Sequence, residues 1–375
     1  MKQSGYDMLY LSACAINKIK PDSDYIAHID LEKLFRMCRY HSLTALVCTA
    51  LESAEIYDKR FMEEKAKAIR KIMLLDAERE KICEFLEQNK IWYMPLKGVI
   101  LKEMYPEIGM RQMSDNDILF DRSYRKQVQE YMKKRGYTAK IEDELHHDEY
   151  VRLPIYNFEM HTDLFNEKHN PEYFRYYSDV KKILIRSMEK NYEYHFKDED
   201  FYVYMIVHEY KHYSNKGTGL RSLLDCFVYI NKKGESLNYN YIAEQLEKLG
   251  IAEFEQKSRK LCMKVFTDPE CRSFSPEERE MLEYYLFSGT YGTMKNCLSN
   301  RIKKFYAATG SKSKFRYVWK RIFPPLEFYK SAMPFFYRYK VLLPIGWAFR
   351  MVRGILFRRK RIKDEIQLVD KLNDR

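Results

Sequence analysis

The stretch MRQMSDNDILF, residues 110–120, contains the pattern that decides the fold. Its last six residues, DNDILF, have the alternation that is typical of a strand with one buried face. Asp115 and Asp117 are two residues apart, so on a strand they share a face with Leu119, and successive Cα atoms on that face lie roughly 6.6 Å apart. The stretch therefore predicts a strand that carries two carboxylates on one side.

The residues around this strand have the pattern of a small α/β region, residues 91–165. The run IWYMPLKG at 91–98 is short and apolar and ends on proline and glycine, which indicates a strand. A helix is expected from about Ser123 to Arg135, because Gly136 suits the position after a helix end. The run YNFEMHTDLF at 156–165 predicts another strand, so the expected order is strand, helix, strand, helix, strand.

Helical patterns surround this region. Apolar residues recur at spacings of three and four between residues 6 and 90, and no proline or glycine interrupts residues 22–94. The same pattern returns from Phe201. The predicted fold class is α+β, a small mixed β-sheet core with flanking helical regions. The predicted segments are an N-terminal helical region (1–90), the α/β core (91–200), a helical domain that completes the site (201–310) and a basic aromatic C-terminal segment (311–375).

The positive charge of the chain is concentrated in one place. The 375 residues carry a formal net charge of +12, and residues 312–363 contain 15 Lys and Arg, 13 aromatic residues and one acid, Glu327. The rest of the chain is therefore close to neutral. This distribution excludes a protein that is basic throughout, such as a small nucleic-acid coat protein.

The N-terminal residues lack the apolar run of a signal peptide, and no stretch of about 18 apolar residues predicts a membrane span. The eight cysteines, Cys271 among them, form no C-x-x-C pair and have no zinc-ligand spacing with a histidine. We therefore expect a cytoplasmic protein whose cysteines are reduced core residues.

Carboxylates two apart on a strand can bind the same pair of Mg²⁺ ions, which lie about 3.5–4 Å apart in phosphoryl-transfer sites. An isolated D-x-D is more often only the polar entrance of a strand. Three neighbouring features favour a metal and phosphate site here. They are Lys97-Gly98, where glycine lets the backbone approach phosphate, Arg111 as a phosphate clamp, and Glu159 as a third carboxylate from an adjacent strand.

Three motifs in the order LKGVILKEMYP (96–106), MRQMSDNDILF (110–120) and FEMHTDL (158–164) carry a resemblance. They resemble the LKG, R-x-M-x-D-x-D and E-x-H pattern of the uncharacterised nucleotidyltransferase family in the DNA polymerase β-like nucleotidyltransferase superfamily. HEYKHYSNKGTGLRSLLD at 208–225 is similar to a later block of the same family, and SGTYG at 288–292 looks similar as well. The resemblance extends from about His41 to Arg353.

The resemblance implies a nucleotidyltransferase that binds an NTP, such as ATP, with two Mg²⁺ ions held by Asp115, Asp117 and Glu159. Glu159 matches the third carboxylate, which positions or deprotonates the acceptor hydroxyl, and attack on the α-phosphorus releases pyrophosphate. The superfamily usually has serine after its first glycine, whereas Val99 follows Gly98 here. Phosphate contact would then come from backbone N–H groups and Lys97.

The segment HEYKH places His208, Lys211 and His212 on one helix face, and with Glu209 it matches the zinc motif H-E-x-x-H. A zinc hydrolase is one interpretation, and histidines packed against a neighbouring helix are another. In the third, Lys211 and Arg221 bind phosphate or acceptor, because a point charge and a planar fork suit a triphosphate. The apolar residues beside the motif favour the third.

Four histidines stand apart from these motifs: His41, His146, His147 and His169. Isolated histidines are more often structural or solvated than ligands, so no site is predicted at them. By contrast, His161 and Asp163 share the predicted strand face of Glu159.

Residues 312–363 alternate cations with aromatic residues, and prolines divide them into short helices. One interpretation is a peripheral segment on an anionic membrane, with Trp347, Phe349 and Leu356 toward the lipid. Arg358 is one of the arginines that face outward in this interpretation. A nucleic-acid surface and a solvated basic face without special function are the others. The short amphipathic pieces favour the inner face of the membrane over nucleic acid.

Two functions from different classes therefore remain open. The favoured one is a Mg²⁺-dependent nucleotidyltransferase that moves an NMP from an NTP to a hydroxyl-bearing acceptor. The acceptor could be a protein, a sugar or lipid-linked intermediate, or RNA. The alternative is a non-catalytic nucleotide- or membrane-binding scaffold that retains the fold.

Overall fold

The structure is a computed structural model that describes residues 2–140, 146–270, 273–357 and 359–373. It divides into two units, Met1–Lys211 with Thr218–Thr290, and His212–Gly217 with Tyr291–Arg375. Cys271 and Arg358, which entered the sequence-based expectations, lie outside the described residues. The four-segment organisation stays a prediction.

Helices form the N-terminal part of the first unit, as the unbroken apolar periodicity predicts. They are α1 (Lys2–Asn17), α2 (Ser23–Ala27), α3 (Leu31–His41), α4 (Thr44–Ser53) and α5 (Lys59–Gln88). Asp22, Asp30 and Asp58 each accept a hydrogen bond from a backbone N–H of the first turn that follows, which fixes the starts of α2, α3 and α5. Helix α4 packs between α1 and α5.

A mixed sheet follows. Its strands are β1 (Tyr93–Pro95), β2 (Asn116–Phe120), β3 (Thr138–Lys140), β4 (His147–Arg152) and β5 (Tyr156–His161), and α6 (Lys97–Lys102) and α7 (Arg125–Lys134) lie between them in sequence. The strand order is β1-β2-β5-β4-β3, with β2 and β5 parallel and the other neighbours antiparallel. The α+β fold class is confirmed.

The sequence-based order of elements is incomplete at this sheet. It lacks β3, whose three residues are all exposed, and β4. The first three residues of β4 are all polar, so the sequence does not show the alternation of polar and apolar residues that predicts a strand. The predicted helix after β2 is confirmed, although it begins at Arg125 because Asp121 caps a short 3₁₀ turn before it. Gly136 has a φ of +79°, as expected for the residue that ends this helix.

Alternation of side chains across the sheet separates the core from the site. Ile118 on β2 and Phe158 on β5 belong to a buried cluster that also contains residues of α5 and α7. Asp117 directly precedes Ile118, and Glu159 directly follows Phe158, so both carboxylates project from the opposite face. The two residues are paired in the parallel register. Asp115 lies just before β2.

Further elements follow in the first unit, except that residues 212 and 213 belong to the second. They are α8 (Pro171–Tyr176), the strand pair β6 (Ile185–Arg186) and β7 (Tyr194–His195), α9 (Asp198–Tyr213), α10 (Leu220–Lys233), α11 (Tyr239–Lys248), α12 (Ala252–Thr267) and α13 (Pro276–Ser288). Helix α12 packs against α10 and against α1, so it connects the later helices of the first unit to the N-terminal helices of the same unit. The cysteines at described positions form no disulfide bond and are buried, as predicted.

The second unit contains α14 (Met294–Thr309), α15 (Lys314–Ile322), α16 (Leu326–Ala332), α17 (Pro334–Arg338), α18 (Leu343–Phe357) and α19 (Arg359–Asn373). Prolines lie at or just before the starts of α16 and α17, as the predicted division into short helices requires. The small core includes Ile302, Tyr317 and Val369. No helix within the described part of the chain is long and apolar enough to cross a membrane.

Candidate active site

Asp117 and Glu159 come together because β2 and β5 are parallel neighbours in register. One oxygen from each carboxylate and a ring nitrogen of His161 all lie within 4.8 Å of one another. His161 Nε2 is 3.3 Å from Asp117 Oδ1 and 3.5 Å from Glu159 Oε2. His161 follows Glu159 by two residues on β5, so it shares the same face of the sheet, as the sequence predicts.

Electrostatic interactions link these three groups. Burial lowers the pKa of His161, but the hydrogen bonds with Asp117 and Glu159 outweigh burial and raise it to about 9. Burial raises the pKa of Glu159, but the hydrogen bond from His161 and the charges of His161 and His147 outweigh burial and lower it. The imidazolium therefore offsets part of the repulsion between the two carboxylates.

Asp115 belongs to the same electrostatic environment from its position before β2. Ser114 Oγ donates a hydrogen bond to Asp115 Oδ1 at 3.0 Å. Burial and the nearby carboxylate of Asp117 raise the pKa of Asp115. The Asp115 carboxylate is thus short of positive charge, which is the situation that a bound cation relieves.

Lys97 begins α6 and is half-buried. Its Nζ lies 2.6 Å from His208 Nδ1 on α9. Burial lowers the pKa of Lys97 to about 8, and the charges of Asp225 and Asp117 offset only part of this effect. Lys97 is therefore a partly desolvated amine that an anionic ligand would stabilise in its charged form.

Arg111 is buried and forms a two-point ion pair with Asp225 on α10. Its Nε and Nη2 donate to the two carboxylate oxygens at 2.8 and 2.9 Å, and Tyr105 Oη donates to Asp225 Oδ1 at 2.8 Å. A Cβ on Gly98 would lie 3.0 Å from Met113 Cε and 3.4 Å from Arg111 Nη1. The structure thus brings Arg111 and Gly98 into close packing between α6 and α10, whereas the sequence suggested open phosphate-binding positions.

Arg221 and Lys211 form no ion pair with a carboxylate of the described residues. Arg221 Nη1 donates to the Gln112 backbone oxygen at 3.1 Å, and Lys211 Nζ lies 5.5 Å from the ring centre of Phe165. Burial lowers the pKa of both side chains. Among the residues that the structure describes, no Asp or Glu oxygen forms an ion pair with either of them, so both retain donors for an anionic ligand.

Glu209, the acidic residue of the H-E-x-x-H motif, is buried. Tyr285 Oη donates to Glu209 Oε1 at 2.6 Å, and burial raises the pKa of Glu209 to about 7. Within the described ranges, neither His208 nor His212 belongs to a group of three side chains that could hold a metal ion. This arrangement does not favour a zinc hydrolase.

His146 and His147 are the site residues that sequence reasoning missed. His147 on β4 lies opposite His161 on β5, and the two ring centres are 4.8 Å apart. The His146 ring centre is 4.7 Å from that of His147 and 5.4 Å from that of His161. The expectation that they stand alone is wrong, because antiparallel pairing of β4 and β5 joins them. The sequence feature that could have indicated this cluster is the adjacent pair His146-His147, which lies shortly before the strand with the E-x-H motif.

His41 is structural, as expected. It is fully buried, and its two ring nitrogens interact with backbone groups of α13 and α10. Burial lowers the pKa of His41 to about 4, so the imidazole is neutral near pH 7.

The sequence model described as "Uncharacterised nucleotidyltransferase" matches residues 27–267, which is more than half of the chain. The chain belongs to this family. The matched region of this nucleotidyltransferase-family chain includes the sheet with Asp115, Asp117 and Glu159, and also α9 and α10. No curated protein and no solved structure matches the chain. The family resemblance seen in the motifs is confirmed, and it supports a general role in nucleotidyl transfer.

Proposed function

We propose that this chain transfers an NMP from an NTP to a hydroxyl-bearing acceptor in the presence of Mg²⁺ and releases pyrophosphate. The observation that supports this most strongly is the pairing of Asp117 with Glu159 on adjacent parallel strands, with Asp115 just before β2. The acceptor classes that we retain are a protein side chain, a sugar or lipid-linked intermediate, and an RNA end.

The donor set fits Mg²⁺, because carboxylate oxygens are the hard ligands that Mg²⁺ prefers. Asp115, Asp117 and Glu159 would hold two ions, and the raised pKa of Asp115 indicates that this carboxylate lacks a sufficient counter-charge. When bound, Mg²⁺ neutralises triphosphate charge during transfer.

Glu159 is the residue that we propose orients the acceptor hydroxyl and accepts its proton. The lowered pKa of Glu159, which results from His161 and His147 outweighing burial, keeps its carboxylate ionised near pH 7. An ionised carboxylate within hydrogen-bond reach of a hydroxyl can accept the proton as the hydroxyl attacks.

Lys97, Lys211 and Arg221 are the cations that we propose contact the triphosphate. Each is partly desolvated and has a lowered pKa, so binding to phosphate would recover charge stabilisation that burial removes. Arg111 is proposed to act indirectly, because its ion pair with Asp225 fixes the loop that leads into β2. Gly98 is proposed to allow the close approach of α6 to that loop.

The direct test is incubation of the full-length protein with each α-labelled NTP and Mg²⁺, with and without candidate acceptors. Pyrophosphate release together with label transfer is the expected result. Tight NTP binding without pyrophosphate release, across all four nucleotides and each acceptor class, would instead support the non-catalytic scaffold.

Lys97→Met is expected to stabilise the free protein and to weaken NTP binding. The free energy of unfolding near pH 7 should rise by about 1–3 kcal/mol, because a lowered lysine pKa means that the charged form is penalised in the folded state. The pH dependence of the free energy of unfolding tests the direction of this effect. Between about pH 8 and 10.5 the unfolded chain binds the extra proton, so the stability of the native lysine protein should rise with pH and the difference should disappear.

Denaturant unfolding at pH 7 and pH 10.5 measures this difference, with Lys59→Met on the exposed start of α5 as the matched control. An equal loss of stability at both pH values would contradict the proposed state of Lys97.

We infer a second role, association of the second unit with an anionic membrane surface. Ile345, Phe349, Val352 and Leu356 lie on one face of α18, and their exposed fractions are between 52% and 63%. Trp347 differs from the sequence-based expectation, because its ring packs edge-on against Phe323 at 5.0 Å. A mostly aliphatic stripe in a basic segment suits lipid better than nucleic acid, whose bases stack on aromatic rings.

The triple variant Ile345→Ser/Phe349→Ser/Val352→Ser should lose flotation with vesicles of phosphatidylserine and phosphatidylcholine. The matched control is Met62→Ser/Met73→Ser, which removes exposed apolar side chains from α5 in the first unit. Native binding should also weaken as salt concentration rises. Retention on RNA without flotation, or flotation unchanged in the triple variant, would contradict the membrane proposal.

A further inference from the structure

A cluster of three imidazoles lies beside the carboxylates, and in the proposed transfer reaction His147 and His161 act only through their effect on Glu159. One ring nitrogen from each of His146, His147 and His161 lies within 4.8 Å of the other two. His161 is 8% exposed, and the other two histidines are half-buried. The three residues come from β5, from the start of β4 and from the residue before β4, so the sheet fixes their backbones.

The Nδ1 atoms of all three histidines are buried and have no hydrogen-bond partner among the described residues. A buried polar atom without a partner is costly, and three such atoms on adjacent rings require an explanation. A cation that accepts imidazole lone pairs is the ligand that satisfies several of them at once.

The other ring nitrogens have the partners that metal-binding histidines usually have. The Nε2 atoms of His147 and His161 both lie 3.5 Å from Glu159 Oε2. Metal binding displaces the Nδ1 proton of the His161 imidazolium. An imidazole that donates its Nε2 proton to a carboxylate then has its lone pair on Nδ1, and this carboxylate–histidine arrangement is common around bound metals.

We propose that His146, His147 and His161 bind a divalent first-row transition-metal ion, such as Zn²⁺ or Co²⁺, beside the carboxylate pair. Imidazole nitrogen suits these ions, whereas Mg²⁺ prefers oxygen. Metal–nitrogen bonds of about 2.0–2.1 Å require the three nitrogens to move closer than they are here, by rotation of the rings. The bound ion orients His147 and His161 and, through their Nε2 protons, Glu159 and Asp117.

Co²⁺ titration of tag-free, full-length protein tests this site, because cobalt bound by nitrogen ligands has visible absorption bands. One equivalent should bind, excess Mg²⁺ should not displace it, and Zn²⁺ should. The variant His146→Ala/His147→Ala should bind Co²⁺ more than about 100-fold more weakly, because loss of a single outer-shell partner already costs about 10- to 100-fold. The matched control His28→Ala removes an exposed histidine of the first unit and should leave binding unchanged.

X-ray absorption at the cobalt edge of the native protein gives an answer that does not depend on variant folding. A ligand shell with three imidazoles supports the proposal, and a shell of oxygen ligands alone overturns it. Co²⁺ binding that is equal in native protein and the folded double variant also overturns it. Asp115 lies outside the imidazole set, so Asp115→Ala should retain Co²⁺ binding even though it removes the proposed transfer activity. The two proposals can therefore fail separately.

Discussion

Asp117→Ala is expected to reduce NTP-dependent pyrophosphate release by about 10³-fold or more. The substitution removes one carboxylate of the D-x-D pair and the parallel-register partner of Glu159. A loss of about 4 kcal/mol of charge stabilisation in the transition state corresponds to this factor. Asp115→Ala should have an effect of similar size, because both carboxylates are proposed to hold the same cations. A continuous pyrophosphate assay at saturating NTP and Mg²⁺ measures both.

Stability provides the control for these variants. Burial and the Asp117 charge raise the pKa of Asp115, so folding penalises the Asp115 carboxylate near pH 7. Asp115→Asn is therefore expected to leave the free energy of unfolding unchanged or higher while activity is lost. Asp24→Asn on the exposed first turn of α2 should change neither quantity. Full activity in Asp115→Asn would show that the site has been wrongly assigned.

Arg111→Met is expected to lower the free energy of unfolding by about 3–5 kcal/mol, because it leaves the buried Asp225 carboxylate without its two-point partner. The loss should have a pH signature. Burial raises the pKa of Asp225, but Arg111 outweighs burial and lowers it. The native pair should therefore contribute its stability above about pH 4 and lose it as the pH falls further.

The double variant Arg111→Met/Asp225→Leu should recover most of the lost stability, since it removes both buried charges together. Arg36→Met breaks an exposed Arg36–Glu32 pair within α3 and should have a much smaller effect. Urea unfolding of the three variants and of the native chain measures these differences. Equal destabilisation by Arg36→Met and Arg111→Met would contradict the prediction that the buried ion pair stabilises the fold more than the exposed one.

The sequence predicts the elements of this fold better than the contacts between them. Unbroken apolar periodicity predicts the helices before residue 90, and alternation in DNDILF and YNFEMH predicts β2 and β5. Alternation also places Asp117 and Glu159 on polar strand faces. The parallel pairing that brings them together depends on tertiary packing over the core of α5 and α7.

Long-range partners explain what the sequence could not indicate. The sequence suggests that Arg111 is free to bind phosphate, but in the structure it pairs with Asp225 on α10, which is 114 residues away in the chain. His147 looks solitary until β4 pairs with β5. Glu209 satisfies a zinc motif in the sequence, but its helix directs it toward Tyr285. In each case the interacting partner comes from an element that is distant in the sequence.

The central claim is that Asp115, Asp117 and Glu159 hold the metal ions and the reacting phosphate of an NTP. Diffraction from a crystal containing Mn²⁺ and a non-hydrolysable NTP analogue, measured at a wavelength where manganese scatters anomalously, tests it most directly. The account predicts manganese peaks bonded to these carboxylates, with the α-phosphate beside them and Glu159 next to the acceptor position. Nucleotide and manganese bound elsewhere, with these three carboxylates free of metal, would contradict it.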